Sequence, residues 1–261
     1  NMAGRVAAIA VEPGNPKTFY IGYASGGIWK TTNGGTTYAP IFDDYETSTI
    51  GSIAVAHAPA DWPGWDDSDV PEDERAEKGK GRIIWVGTGE GNGRNSSSWG
   101  HGVYRSTDGG ATFEHKGLAD SHDIPAIVVH PDDPDVCYVA ALGHLWGPNE
   151  MRGIYRTTDG GETWDAVLQI NEDVGAIDLV IDPEKPEIMH AAMYQRRRAL
   201  WSYQSGGEEG GIYRSTDGGE TWTKTMAGLP EQTGRIGLDV ARSDPRIVYA
   251  VVESDEGGWI G

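Results

Sequence analysis

The feature that most constrains this chain is an eight-residue pattern that occurs four times: Thr31-Thr-Asn-Gly-Gly-Thr-Thr-Tyr38, Ser106-Thr-Asp-Gly-Gly-Ala-Thr-Phe113, Thr157-Thr-Asp-Gly-Gly-Glu-Thr-Trp164 and Ser215-Thr-Asp-Gly-Gly-Glu-Thr-Trp222. The copies recur at intervals of roughly 50 to 75 residues, a spacing of repeat architectures. Each follows a short apolar stretch ending in a base: Gly27-Ile-Trp-Lys30, Gly102-Val-Tyr-Arg105, Gly153-Ile-Tyr-Arg156 and Gly211-Ile-Tyr-Arg214. Asp-Gly-Gly between two apolar strands reads as a hairpin turn. Glycine supplies positive φ, and the aspartate accepts bonds from nearby backbone N–H groups.

A second repeated unit lies upstream of three of the turns and recurs once after the last. Ile9-Ala-Val-Glu-Pro13, Ile127-Val-Val-His-Pro131 and Leu179-Val-Ile-Asp-Pro183 each run into a proline turn and a further apolar stretch, and Leu238-Asp-Val240 leads to Pro245 and Ile247-Val-Tyr249. Proline suits such turns and would break a strand interior. The two units together make four strands. The expected architecture is therefore all-β: a β-propeller of four-stranded antiparallel blades at about 5–43, 49–117, 123–168 and 174–227, with a partial fifth at 235–261. An open blade edge leaves backbone groups unpaired. The chain is thus expected to be an incomplete part of a larger propeller, closed by the rest of its own chain or by a partner subunit.

The turn resembles the Asp-box, or BNR repeat, of bacterial sialidases, sortilin-type receptor ectodomains, xyloglucan-cleaving glycoside hydrolases and photosystem II assembly factors. Beyond the turn, Gly26-Gly-Ile-Trp-Lys-Thr-Thr-Asn-Gly-Gly35, Ala140-Ala-Leu-Gly-His-Leu-Trp-Gly-Pro148 and Ala192-Met-Tyr-Gln-Arg-Arg-Arg198 are similar to the amino-terminal part of large secreted bacterial proteins described as sortilin-like or BNR glycosyl-hydrolase-like. That resemblance covers essentially the whole chain. It implies a propeller and an extracellular or periplasmic location. It also implies that Asn33, Asp108, Asp159 and Asp217 are structural, on the face away from any active site. In the xyloglucanase-type relatives an acid lies two positions before the first Gly-Gly; here that position is Ala24. The arginine-isoleucine-proline start of sialidases has no counterpart, since Gly4-Arg-Val and Gly234-Arg-Ile lack the proline.

Strand alternation places the connections at 89–101, 143–152 and 195–209 on the rim opposite the Asp-boxes. They hold the candidate ligand-binding residues Arg94, Trp99, His101, His144, Trp146, Arg196, Arg197, Arg198 and Trp201. Aromatic and guanidinium groups suit sugar stacking or an acidic protein partner. His101 and His144 are placed to meet there. The Asp-box rim carries instead the acidic insertion Ala58–Gly81, with Trp62, Trp65, Asp66 and Asp67. The main expectation is a non-catalytic binding or scaffolding propeller of the bacterial envelope, taking a protein or a glycan. One alternative is a glycoside hydrolase with paired carboxylates near the channel, drawn from Glu90, Asp178 and Asp239. The other is an assembly factor or accessory subunit of a membrane complex.

Composition narrows the partners. A net charge of −19 excludes a basic footprint for nucleic acid. No apolar run is long enough to insert in a membrane. The histidines are dispersed and no His-x-x-x-His or Cys/His cluster is present, so neither a metal nor another cofactor is expected. Cys137, alone in the chain, is expected to be buried and inert.

Overall fold

The computed structural model describes residues 4–57, 82–254 and 257–260. The acidic insertion lies outside the described residues. Strands β1 (Val6–Val11), β2 (Phe19–Tyr23), β3 (Ile28–Thr31) and β4 (Ala39–Pro40) form the first sheet. The second contains β5 (Ile50–His57), β6 (Arg82–Thr88), β7 (Val103–Ser106) and β8 (Glu114–His115). The third contains β9 (Ala126–His130), β10 (Asp133–Ala141), β11 (Gly153–Thr157) and β12 (Asp165–Leu168). The fourth is β13 (Val174–Ile181), β14 (Met189–Ala199), β16 (Gly211–Ser215) and β17 (Thr223–Thr225), with β15 (Ser202–Ser205) paired to the far end of β14. The fifth contains β18 (Ile236–Val240), β19 (Val248–Ser254) and β20 (Gly257–Ile260). All strand pairings are antiparallel, and all but β14 with β16 join strands consecutive in sequence; the molecule is a β-propeller. No helix among the described residues is long and apolar enough to cross a membrane.

Adjacent sheets meet through their first strands, β1 on β5, β5 on β9, β9 on β13 and β13 on β18. Between each pair lies an apolar layer. Tyr20, Ile28, Ile84 and Val86 fill the first interface. Ile83, Trp85, Val103, Ile127 and Val139 fill the second, where Cys137 is also buried. Burial pushes the Cys137 thiol well up, which keeps it protonated.

The repeated turn is held by its own side chains. Asp159 Oδ1 accepts from the Thr163 amide at 2.9 Å, and its Oδ2 accepts from the Thr163 hydroxyl at 2.6 Å. Thr157 Oγ1 donates to Asp159 at 2.8 Å and accepts from the Gly161 amide at 2.9 Å. Gly160 and Gly161 take φ of 73° and 91°, values that only glycine adopts without strain. Asp108 and Asp217 make the same bonds with Thr112 and Thr221. In the first copy Asn33 still accepts from the Thr37 amide at 3.0 Å, but its Nδ2 donates to the Thr37 hydroxyl at 2.8 Å.

The base ending each of the first three apolar stretches reaches the next sheet's turn. Lys30 Nζ donates to Gly109 O at 3.0 Å, Arg105 Nη1 to Gly160 O at 3.2 Å, and Arg156 Nη1 to Gly218 O at 3.3 Å. One side chain per repeat thus pairs a turn carbonyl of its neighbour.

The turn carries an acid-sensitive element. Hydrogen bonds from Thr163 draw the Asp159 carboxyl down to about 2 from 3.8. A depressed carboxyl contributes stability that is present above its unfolded value and lost as pH falls towards the folded one. In Asp159→Asn this carboxyl no longer titrates. Its urea midpoint is therefore expected to fall less steeply than that of the wild type between pH 4 and pH 2. Identical slopes would show that the carboxylate form does not strengthen the turn.

Candidate functional site

The rim opposite the Asp-boxes is built from four connections, and three of them line a cavity of about 190 Å³ through Ser97, Trp99, His122, Asp123, His144, Leu145 and Trp146. Trp99 is 67 % exposed and Trp146 46 %. Trp99 stacks on His122 with ring centroids 5.6 Å apart, and His122 stacks on His144 at 3.7 Å. His122 and Asp123 come from the connection between the second and third sheets. His122 has a φ of 57°, rare for a residue with a side chain. Burial and the neighbouring His144 draw its imidazole below the usual histidine value.

Beneath the cavity lies a buried ionic floor. Strand β14 runs straight through the arginine run, and β15 pairs Arg196 with Ser205, Arg197 with Gln204 and Arg198 with Tyr203. The segment expected as a loop over 195–209 is therefore largely a hairpin. Strand alternation sorts its arginines. Arg196, fully buried, donates from Nη2 to Asp123 Oδ2 at 2.7 Å and to Gly143 O at 3.2 Å. Arg198 donates to Gly93 O at 2.9 Å and lies 4.2 Å from the Tyr203 ring centre. Arg197 points the other way and pairs with Asp173. Burial pushes the Asp123 carboxyl up to about 6, against the pull of Arg196; Glu90 adds a smaller upward push. Arg152, also buried, donates to the carbonyls of Leu142 at 2.8 Å and His144 at 2.7 Å, which shapes the loop carrying His144 and Trp146. Burial and the nearby guanidinium groups lower it to about 10.

The structure thus brings Trp99, His144 and Trp146 to one cavity with Arg196 below. Arg94 is exposed, and Trp201 stands at the hairpin tip, 86 % exposed. His101 does not meet His144. It stacks on His115 at 4.6 Å and pairs with Glu46 at 2.9 Å, because its strand-end position faces β8 rather than the channel mouth. Glu90 is buried; it accepts from Arg5 Nη2 at 2.6 Å and from Asn92 Nδ2 at 3.0 Å. Asp178 accepts from the Leu238 amide at 2.8 Å and the Leu179 amide at 2.9 Å, so it fastens the fifth sheet to the fourth. Asp239, one sheet further on, is exposed and accepts from the Val240 amide. Ala24 is buried. His122, Asp123, Asn149 and Arg152 were not singled out from sequence. They carry no motif, and only the meeting of connections far apart in the chain reveals them.

Asp-box turns and a row of sheets, each packed on its neighbour, define a propeller of the sortilin and BNR kind. The chain belongs to the Sortilin-Vps10 family, whose model, described as sortilin, neurotensin receptor 3, matches residues 101–257. It is 26 % identical over 257 residues to the xyloglucanase Xgh74A of Acetivibrio thermocellus, covering 85 % of this chain and 25 % of that protein. It is 27 % identical over 251 residues to a xyloglucanase of Hypocrea jecorina, covering 87 % of this chain and 26 % of that protein. The chain therefore spans about a quarter of these curated relatives. Among solved structures, the GH74 enzyme of Niastella koreensis matches with a TM-score of 0.58 at 22 % identity, over 97 % of this chain and 35 % of that one. The GH74 xyloglucanase of Xanthomonas campestris matches with a TM-score of 0.59 at 17 % identity, over 96 % of this chain and 34 % of that one. These likenesses establish the fold. The xyloglucanase relatives also correct the expectation of a non-catalytic binding or scaffolding propeller of the envelope: the similarity favours the glycoside-hydrolase alternative.

Proposed function

We propose that this chain is the propeller portion of an extracellular glycoside hydrolase that acts on a polysaccharide at the rim opposite the Asp-boxes. The observation that carries this reading is the cavity between the exposed indoles of Trp99 and Trp146, with the Asp123 carboxyl in its lining. Flat apolar rings suit the faces of sugar rings, and a chain of sugars can lie across an open rim. Glycoside hydrolysis needs two carboxyl groups. Asp178 is committed to backbone amides and Asp239 stands on a different sheet; the pair assigned here is Asp123, in the cavity lining, with Glu90. Ala24 stands where the xyloglucanase-type acid would, so the chemistry here rests on that other pair.

Sugar release from xyloglucan by the full-length protein tests the reading. Trp99→Ala and Trp146→Ala are each expected to raise KM about 5- to 10-fold, the loss of one aromatic contact of about 1 kcal/mol. Asp123→Asn, checked for native circular dichroism, is expected to abolish turnover. No release from xyloglucan or from other β-glucans by the wild type would overturn the proposal. So would unchanged kinetics in both tryptophan variants.

A further inference from the structure

We propose that Asp120, His122 and His144 form a zinc site at the edge of the Trp99–Trp146 cavity. Their donor atoms all lie within 4.8 Å of one another. Tetrahedral zinc with bonds of roughly 2.0–2.1 Å holds its donors about 3.4 Å apart, so the set is completed when the two stacked imidazoles splay apart around the ion. Two imidazoles and one carboxylate are a donor set that suits zinc and leaves a fourth position open. His122 and His144 both line the cavity. The site stands independently of the sugar-cleaving reading.

Three further observations support it. The His122 backbone sits at φ 57° and ψ −59°, a conformation that costs on the order of 1–3 kcal/mol and persists where surroundings impose it. The His122 ring lies stacked on that of His144. Among the described residues no hydrogen bond reaches either ring nitrogen of His122. The other stacked pair is different: His115 Nε2 contacts the His101 carbonyl at 2.9 Å, and His101 Nδ1 contacts Glu46 at 2.9 Å. Finally, buried Asn149 donates from Nδ2 to Asp120 Oδ2 at 3.1 Å and to the Asp120 carbonyl at 3.2 Å. Such an outer partner orients a ligating carboxylate. His144 Nε2 already lies 3.0 Å from the other oxygen, Oδ1.

Calorimetric titration of the chelator-treated full-length protein with zinc chloride tests the site. One zinc per chain is expected. His122→Asn keeps a side chain that tolerates positive φ, and both it and His144→Ala are expected to weaken binding more than 10-fold. Asn149→Ala should weaken it about 10-fold, the effect of a lost outer partner. His101→Ala, in the other histidine pair, should leave binding unchanged. Native circular dichroism is required of each variant. The proposal fails if the wild type shows no one-to-one binding, or if His122→Asn binds zinc like the wild type. It fails equally if His101→Ala loses as much as His144→Ala. Since the readout is metal binding, its result is separate from that of the sugar-release assay.

Discussion

Arg196→Ala is expected to destabilise the protein by about 3–5 kcal/mol, a fall in melting temperature of roughly 6–20 °C for a domain of this size. The guanidinium is fully buried and donates to Asp123 and to the Gly143 carbonyl. Its loss leaves a buried carboxylate without its cation, and removal of one partner of a buried pair is costly for that reason. The double variant Arg196→Met with Asp123→Leu removes both charges. It is expected to recover much of the loss, since a buried pair replaced by apolar groups is often neutral. Thermal melts of the two variants check this. A melting temperature for Arg196→Ala within about 2 °C of wild type would mean that the floor of the cavity is wet and the pair screened.

Trp85→Ala should cost a similar amount, about 3–5 kcal/mol, the usual figure for removal of a buried aromatic. Trp85 is fully buried in β6 and spans the interface between the second and third sheets. Its ring meets Trp164 edge-on at 6.1 Å and lies under the Arg105 guanidinium at 4.8 Å. Its Nε1 donates to the Pro134 carbonyl at 3.1 Å. Trp85→Phe should recover the packing but not that bond, and so lose about half as much. Urea unfolding of both variants reads the difference. Equal losses for the two would show that the hydrogen bond, not the ring, fastens the sheets.

The sequence made the sheets legible because their signals are local. Asp159, Thr157 and Thr163 lie within one turn, and the proline turns and apolar stretches alternate with them at short range. The site was legible only in part. Trp99, His144 and Trp146 stood out as aromatic and basic residues on connections that alternation placed on one rim. Asp123 and His122 did not, because their partners are Arg196 and His144, far along the chain and in no fixed spacing. The arginine run shows a further limit. Three consecutive arginines read as one patch, yet β15 pairing makes them a strand that sends Arg196 inward and Arg197 to Asp173. Whether an inner aspartate is free or fastened also depends on the neighbouring sheet, as Asp178 and Asp239 show.

The cation that each of three successive repeats lends to the following turn has an evolutionary consequence. Lys30, Arg105 and Arg156 each recognise a main-chain carbonyl, an acceptor that every turn of this shape presents whatever its side chains. A tandem duplication of one unit thus arrives with its own connector and a ready acceptor ahead of it. Where stability is a sum over adjoining units, a lineage can lengthen or shorten such a ring by unequal recombination without inventing a new interface. Drift in the rim connections is then free to explore ligands while the fastening stays the same.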